Sequence, residues 1–184
     1  MRIITGKLRG MQLFSPKNMD VRPTADRVKE SVFNILGPNF TQATVLDLFA
    51  GSGNLGLESW SRGATQIVFA DISNESLALL KKNIAKAKIT SGIKIVKGDA
   101  LKLIKKFFLA GEKFDYIFCD PPYNKGLVAM LLQALSQDDI LKPQGLLIIE
   151  HSKEEAVDLL MSNKLLLFRK EKYGDTFVSF FKKE

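Results

Sequence analysis

Short apolar runs alternate with longer amphipathic stretches along most of the chain after residue 43. The apolar runs predict strands at residues 45–49, 66–70, 93–97, 116–119, 146–150, 165–170 and 176–181. Between the first six, apolar residues recur with helical spacing, which predicts helices near residues 55–63, 74–88, 100–110, 125–136 and 153–162. This alternation favours an α/β fold with a mostly parallel sheet, helices on both faces and ligands at the carboxyl ends of the strands. Only residues 171–175 separate the last two strands, so we expect them to form an antiparallel hairpin at one edge.

The first 37 residues follow a different pattern. Alternating residues at 2–5 and 11–15 flank a turn that contains glycine, which predicts a small hairpin. Thr24 stands where a helix N-cap belongs, and apolar residues then recur with helical spacing until Gly37 and Pro38 end the pattern. We therefore predict an N-terminal appendage over residues 1–37 and a main domain over residues 38–184.

The composition is that of one globular domain. Of 184 residues, 46% are hydrophobic and 26% are charged, which excludes collagen-like, coiled-coil and disordered proteins. No apolar run is long enough to span a bilayer, and the first residues are too polar for a signal peptide, so we expect a cytoplasmic protein and take it to be a monomer. Because Cys119 and His151 are the only residues of their types, we expect neither a disulfide nor a metal site.

Basic residues are concentrated near the amino terminus. The chain has 27 Lys and Arg against 20 Asp and Glu, a formal net charge of +7. Residues 1–37 hold seven of these basic and three of these acidic residues, so this segment alone contributes +4. Such a segment favours binding to a polyanion such as nucleic acid. A solvated surface whose lysines confer solubility is the alternative.

A glycine motif follows the first predicted strand. Gly51, Gly53 and Gly56 allow the backbone to turn sharply, approach a ligand and pack a helix close to the sheet. This spacing alone fits a nicotinamide dinucleotide site equally well. Asp47 lies four residues before Gly51, where its charge is unfavourable beside a pyrophosphate but suits a ligand that carries an ammonium and a sulfonium. A tight turn with a capping aspartate is the alternative interpretation.

Two further carboxylates follow the second and third predicted strands. Asp71 can accept hydrogen bonds from both hydroxyls of a ribose, and Asp99 can accept one from the exocyclic amine of adenine. Either aspartate can instead cap the helix that follows it. The two residues indicate an adenosine-containing ligand without separating NAD from S-adenosylmethionine.

The sequence Asp120-Pro121-Pro122-Tyr123 comes directly after the fourth predicted strand. Two prolines fix a rigid turn and orient the neighbouring carbonyls outward. The Asp120 carboxylate and the Pro121 carbonyl can accept hydrogen bonds from an aromatic amine, while the Tyr123 ring offers a face on which the base can stack. Because the lone pair of such an amine is delocalised, two acceptors that position its hydrogens favour attack on an electrophile.

In this order, the glycine motif, the acidic strand ends and the Asp-Pro-Pro-Tyr turn resemble S-adenosylmethionine-dependent methyltransferases that modify exocyclic amino groups of nucleic-acid bases. The amino-terminal residues narrow the resemblance, which covers essentially the whole chain. Residues 2–10, with Arg2, Gly6 and Arg9, and residues 22–36, which begin Arg22-Pro23-Thr24, are similar to the RsmD family. That family methylates the exocyclic 2-amino group of one guanine in bacterial small-subunit (16S) ribosomal RNA.

The resemblance implies a fold, a reaction and a set of site residues. The implied fold is a seven-stranded, mostly parallel Rossmann-like methyltransferase sheet. The implied methyl donor is S-adenosyl-L-methionine, and the implied partner is ribosomal RNA or the 30S particle. The implied catalytic residues are Asp120, Pro121, Pro122 and Tyr123. The implied cofactor-binding residues are Asp47, Phe49, Gly51, Gly53, Asp71, Ile72, Asp99 and Ala100. The implied RNA-binding residues are Arg2, Lys7, Arg9, Arg22, Thr24 and Arg27.

Three other functions fit parts of the pattern. DNA adenine or cytosine amino-methyltransferases can share the Asp-Pro-Pro-Tyr turn, but they usually carry a separate base-reading domain, for which 184 residues leave no room. An NAD-dependent reductase is disfavoured by Asp47 and by the lack of a Tyr-x-x-x-Lys pair. A non-catalytic assembly factor that binds ribosomal RNA would not need the turn.

Overall fold

The structure, a computed structural model, describes residues 1–16, 23–38, 40–123, 126–155, 157 and 165–183. The chain forms two compact units, Met1–Lys97 and Gly98–Glu184. This division falls within the alternation of strands and helices, and the predicted boundary after residue 37 stays a prediction.

The first unit contains an amino-terminal segment, three helices and three parallel strands. Its elements are α1 (Pro23–Leu36), β1 (Thr44–Asp47), α2 (Asn54–Ser61), β2 (Gln66–Asp71), α3 (Asn74–Lys86) and β3 (Ile93–Lys97). The strands lie in the order β3-β2-β1, with Val45 beside Ile67 and Ile67 beside Ile93. Apolar side chains of β1 and β2 are buried, and α2 packs against both strands. Because the strands are parallel, Asp47 and Asp71 end their strands at the same edge of the sheet.

The second unit contains two helices and four strands. Its elements are α4 (Ala100–Leu109), β4 (Phe114–Cys119), α5 (Leu127–Gln137), β5 (Leu141–Ser152), β6 (Leu165–Tyr173) and β7 (Thr176–Lys183). The strand order is β4-β5-β7-β6, and β4 is parallel to β5 whereas β7 is antiparallel to both of its neighbours. Tyr173 pairs with Thr176 across the turn at Gly174, so the predicted hairpin at one edge is confirmed.

The seven strands and five helices of the described residues confirm the predicted α/β fold class. The final hairpin gives the strands mixed directions, as its short connection predicts. Within these same ranges, the structure has no helix with the length and apolar character that a membrane span requires.

Three local predictions need correction. Helix α1 begins at Pro23, so Thr24 lies inside the helix and is not its N-cap; proline suits the first helical turn because its φ is fixed and it needs no N–H partner there. Strand β5 begins at Leu141, five residues earlier than predicted, and continues through Gln144, whose φ is 64°. Residues 153–155 form a turn where the pattern predicts the start of a helix, and of positions 156–162 only residue 157 lies within the described part.

The amino-terminal segment, residues 1–16, packs on helix α2. One antiparallel bridge joins Arg2 and Gln12, so the predicted hairpin is present with a single bridge rather than a ladder. Gly6 has a φ of +87°, and a Cβ at this position would lie 1.9 Å from the carbonyl oxygen of Ser61. Only glycine permits this approach, and it makes the segment part of the packing of the first unit.

Candidate cofactor and catalytic sites

The glycine loop, residues 50–53, connects β1 to α2 and is fixed by backbone hydrogen bonds. The Gly51 N–H donates to Oδ2 of Asp71 over 2.9 Å, and the Gly53 N–H donates to the Ala50 carbonyl over 2.6 Å. Gly51 and Gly53 have φ values of 52° and 83°, which glycine adopts without strain. A Cβ at Gly51 would meet no described atom within 4 Å, so this side of the loop has room for a ligand.

Gly56 has the packing role that the sequence predicts. A Cβ at this position would lie 2.2 Å from the ring of Phe69 on β2. The absence of a side chain therefore lets α2 lie close to the sheet, and this packing helps to fix the position of the glycine loop that precedes the helix.

The Asp47 carboxylate at the end of β1 is almost completely buried. Its Oδ2 accepts a 2.9 Å hydrogen bond from the Gly56 N–H, which also satisfies an amide in the first turn of α2, as the capping interpretation expects. Burial raises the pKa of this carboxyl to about 7, the Gly56 hydrogen bond opposes the rise, and the charge of Asp71 adds to it. A cationic ligand would stabilise the charged form, so the residue fits an ammonium or sulfonium better than a pyrophosphate.

Asp71 ends β2 and uses both carboxylate oxygens. Oδ2 accepts from Gly51, and Oδ1 accepts from the Ser73 N–H over 2.8 Å. The N-cap of α3 is Ser73, whose hydroxyl accepts from Ser76, so the alternative in which Asp71 caps this helix is wrong. Each carboxylate oxygen retains lone-pair capacity for a ribose hydroxyl. Next to it, Ile72 is 64% exposed, which leaves it able to contact a ligand.

Asp99 and Ala100 lie in the second unit at the start of α4. The Asp99 carboxylate is the N-cap of this helix and accepts a 3.1 Å hydrogen bond from the Lys102 N–H. The structure therefore shows the capping role that the sequence left open, and a contact between Asp99 and adenine stays a prediction. Ala100 is buried.

The turn Asp120-Pro121-Pro122-Tyr123 follows β4 with only Pro121 buried. The Tyr123 hydroxyl donates a 2.5 Å hydrogen bond to Oε1 of Glu150 on β5, and it lies 3.2 Å from Oγ1 of Thr176 on β7. Tyr123 is 40% exposed, so its hydroxyl is tethered while part of the residue remains accessible.

Burial and the contact between the two groups shift the pKa values of Tyr123 and Glu150. Burial raises the pKa of Tyr123 above its usual value, and the hydrogen bond and charge of Glu150 add to this effect. Burial also raises the pKa of Glu150, although the hydrogen bond from Tyr123 opposes the rise. Tyr123 is therefore a neutral donor at neutral pH and is no base.

Sequence reasoning missed Glu150 and Thr176. An acidic residue ends the fifth predicted strand just as Asp47 and Asp71 end the first two, so the signal for Glu150 was present. His151, by contrast, is buried and donates to or accepts from Oγ of Ser179 over 2.8 Å. His151 is therefore a buried polar residue with a hydrogen-bond partner, and Cys119 is buried as well.

The predicted RNA-binding residues fall into three groups. Arg2, Lys7, Arg9 and Arg27 are exposed in the first unit. Arg22 lies outside the described residues, and Thr24 lies in α1. Among the described residues, no group of three or more His, Cys, Asp and Glu side chains has the arrangement of a metal site.

Comparisons with known proteins identify relatives along the whole chain. A family model described as "Conserved hypothetical protein 95" matches residues 1–182. Ribosomal RNA small subunit methyltransferase D of Haemophilus influenzae is 36% identical over 155 residues, which are 84% of this chain and 80% of that protein. The solved structure of the Escherichia coli protein yhhF has a TM-score of 0.84 and 30% identity, over 100% of this chain and 98% of that one.

A further solved structure supports the fold alone. It is the Thermus thermophilus 16S rRNA N2 G1207 methyltransferase, determined in complex with AdoMet and guanosine. Its TM-score is 0.73 at 22% identity, over 91% of this chain and 45% of that one.

Proposed function

The chain belongs to the RsmD family, and we propose that it transfers the methyl group of S-adenosyl-L-methionine to the exocyclic 2-amino group of a guanine in small-subunit ribosomal RNA. We further propose that its substrate is an assembled or partly assembled 30S particle. The observation that carries the proposal is the Asp-Pro-Pro-Tyr turn, in which Tyr123 is tethered at its hydroxyl and is 40% exposed. The name of the Haemophilus influenzae relative supports ribosomal RNA as the substrate.

S-Adenosyl-L-methionine is the cofactor, and when bound it supplies an electrophilic methyl group on a sulfonium. The residues of the first unit fit such a ligand, since Asp47 is a buried acid that a cation would ionise and Gly51 faces open space. We assign the ribose hydroxyls to Asp71. The remaining proposed contacts are those of Phe49, Gly53, Ile72, Asp99 and Ala100.

We propose that the Asp-Pro-Pro-Tyr turn positions the exocyclic amine, which is a weak nucleophile. The Asp120 carboxylate and the Pro121 carbonyl accept hydrogen bonds from the amine, which turns its lone pair towards the electrophile. Tyr123 stacks on the base and fixes its plane. No base is needed before attack, because the proton leaves after the nitrogen has bonded to carbon.

The exposed cations of the first unit are proposed to bind RNA phosphates. Lys7 and Arg9 lie on the turn of the amino-terminal segment, and their side chains are exposed. Replacing both with alanine should weaken particle binding and reduce its salt dependence by about one counterion per lost phosphate contact. Lys81 and Lys82 on α3 are also exposed, and their double alanine variant removes the same charge from another surface as a control.

Methyl transfer from tritiated S-adenosylmethionine tests the function. Unmodified small-subunit particles, free small-subunit RNA and DNA are offered in parallel, and the labelled nucleoside is identified after digestion. We expect label in N2-methylguanosine, with particles preferred over free RNA. Label in DNA adenine or cytosine would favour the DNA methyltransferase alternative, and cofactor binding without transfer to any substrate would favour a non-catalytic factor.

A further inference from the structure

The amino-terminal segment, residues 1–16, is connected to the glycine loop by a buried side chain of helix α3. Asn83 is fully buried. Its Oδ1 accepts a 2.8 Å hydrogen bond from the Phe14 N–H, and its Nδ2 donates to the Phe14 carbonyl over 3.1 Å. The same Nδ2 donates to the Ser52 carbonyl over 2.8 Å. One amide therefore pairs with the backbone of the segment as a neighbouring strand would and also fixes the middle of the glycine loop.

A second buried side chain makes a similar connection at the residue that follows the loop. Lys29 on α1 is 2% exposed, and its Nζ donates to the Arg2 carbonyl over 2.5 Å and to Oδ1 of Asn54 over 2.8 Å. Asn54 is the first residue of α2, directly after Gly53. The amino-terminal segment is therefore linked to the glycine loop region near both ends of the segment. Lys29 makes the link at residue 2, and Asn83 makes it at residue 14.

The bonds of Asn83 are costly to break because its side chain is fully buried. A buried amide that loses its partner costs the full desolvation of that group, so displacement of the segment at Phe14 would leave Asn83 without two of its three hydrogen bonds. An ordered segment and an ordered loop therefore stabilise each other. A ligand that fixes one of them lowers the conformational cost of fixing the other, and the effect is reciprocal.

We propose that Asn83 positions the glycine loop for S-adenosylmethionine through its bonds to the amino-terminal segment, so that cofactor binding and RNA binding by that segment strengthen each other. The proposal rests on the proposed function, which supplies both ligands. In this proposal the amino-terminal segment binds RNA and, through Asn83, also supports the glycine loop at Ser52.

Two affinities measured on the full-length protein test the coupling. Calorimetry gives the affinity for S-adenosylhomocysteine, and fluorescence anisotropy with labelled, unmodified small-subunit particles gives the affinity for RNA. In the wild type, saturating S-adenosylhomocysteine should tighten particle binding about fivefold or more, the lower end of typical coupling. The coupling ratio is the dissociation constant of the particle without S-adenosylhomocysteine divided by that with it. In Asn83→Leu, this ratio should fall below about twofold. The dissociation constant of S-adenosylhomocysteine should rise about fivefold or more.

A kinetic measurement separates positioning from a loss of folded protein. Because Asn83 touches no reacting group, the single-turnover rate of Asn83→Leu should return to near the wild-type value at saturating S-adenosylmethionine. A variant of which a fraction is irreversibly unfolded would keep its dissociation constant and lose amplitude. Asn34 on α1 is exposed, and Asn34→Leu serves as the matched control with an unchanged ratio.

Lys86→Met provides a variant that leaves the core intact. Lys86 is exposed, its Nζ donates to the Gln12 carbonyl over 2.6 Å and it lies 4.7 Å from the centre of the Phe14 ring. Its loss should lower the coupling ratio, whereas a mere loss of charge would weaken particle binding equally with and without S-adenosylhomocysteine.

The possible outcomes distinguish this inference from the proposed function. A wild-type ratio within twofold, in a protein that methylates particles, would overturn the coupling alone. An unchanged dissociation constant in folded Asn83→Leu would overturn the positioning role. If Asn83→Leu fails to fold, an unchanged ratio in Lys86→Met overturns the proposal. A wild type that neither binds S-adenosylhomocysteine nor methylates RNA would overturn the proposed function itself.

Discussion

The ammonium nitrogen of Lys29 lies 3.3 Å from Oε2 of Glu58, and both side chains are almost completely buried. Glu58 also accepts hydrogen bonds from the backbone N–H groups of Ile4 and Thr5, and from Nε of Arg62 over 2.9 Å. Burial lowers the pKa of Lys29, while the charge of Glu58 opposes that effect. One of the basic residues counted in the first 37 is thus a structural cation, and the pair joins the amino-terminal segment to α2.

Glu58→Gln should destabilise the protein by about 3–5 kcal/mol, because it leaves the buried Lys29 without its counter-charge. Urea unfolding measures the loss. Glu75 on α3 is exposed, and Glu75→Gln should change stability by less than about 0.5 kcal/mol. Adding Lys29→Met to Glu58→Gln should recover part of the loss, since the unpaired charge of Lys29 is removed and only that of Arg62 remains. Additive effects of the two substitutions would contradict the pairing.

The sequence predicts the acidic strand ends better than it predicts this buried pair. Successive parallel strands end at one edge of a sheet, so Asp47 and Asp71 can be placed together from the alternation of strands and helices alone. Lys29 and Glu58 belong to two helices whose contact depends on packing that no local pattern encodes. The amphipathic spacing of α1 identifies its apolar residues, and it assigns a lysine to the solvent by default.

The Tyr123 contact illustrates the same limit in the second unit. Asp120-Pro121-Pro122-Tyr123 can be recognised in the sequence because the chemistry is local. Glu150 lies 27 residues later and Thr176 lies 53 residues later, and their approach to the tyrosine depends on the register between β5 and β7. Local patterns predict the two strands but not which of their residues reach the turn.

Asp71→Ala should weaken S-adenosylhomocysteine binding by about 1–3 kcal/mol, the range for removing a charged hydrogen-bond acceptor. The carboxylate also fixes Gly51, so the loss combines the ribose contact with a looser loop. Calorimetry measures the change in affinity, and Asp138→Ala, at the residue that follows α5, is the control. Unchanged affinity in the folded variant would show that the ribose assignment is wrong.

Asp47 should make both stability and cofactor affinity depend on pH. Its pKa is about 7 in the folded protein against an ordinary value of 3.8, so between these values the folded state binds a proton that the unfolded state does not. The stabilising contribution of the protonated form is complete below about pH 4 and is lost as the pH rises through 7. Asp47→Asn should remove this dependence, as thermal unfolding between pH 5 and 9 can measure.

The cofactor's positive charge should reverse the preference of Asp47 for its protonated form. We expect the affinity for S-adenosylmethionine to rise as the pH increases from 5.5 to 8, with release of a proton upon binding. Calorimetry in buffers of different ionisation enthalpy detects that proton. The Asp47→Asn variant should bind more weakly and show neither effect, and a pH-dependent affinity that persists in this variant would assign the titration to another group.

Asp120→Ala should fold, bind cofactor and lose turnover by roughly 100-fold or more, as expected for a group that acts mainly in the transition state. Its carboxylate is exposed, so stability should change by less than about 0.5 kcal/mol. Single-turnover methyl transfer at saturating cofactor measures the effect. Near-normal rates would remove Asp120 from the catalytic residues.

Tyr123→Phe and Tyr123→Ala should differ in a way that separates stacking from tethering. Phenylalanine keeps the ring but loses the hydrogen bond to Glu150 and the contact with Thr176. Its turnover should fall by about three- to tenfold, the equivalent of one hydrogen bond of roughly 0.5–1.5 kcal/mol. Alanine also removes the stacking surface and should lose substantially more.

Thr176→Val and Glu150→Gln show which partner of Tyr123 matters more. Gln retains an acceptor for the tyrosine hydroxyl, so Glu150→Gln should resemble the wild type if hydrogen bonding alone tethers the ring. Thr176→Val removes the weaker, 3.2 Å contact and should have less effect than Tyr123→Phe. Single-turnover rates at saturating cofactor are compared for all four variants. Equal losses in Tyr123→Phe and Tyr123→Ala would argue against stacking, whereas a wild-type rate in Tyr123→Phe would show that the tether to Glu150 has no part in the reaction.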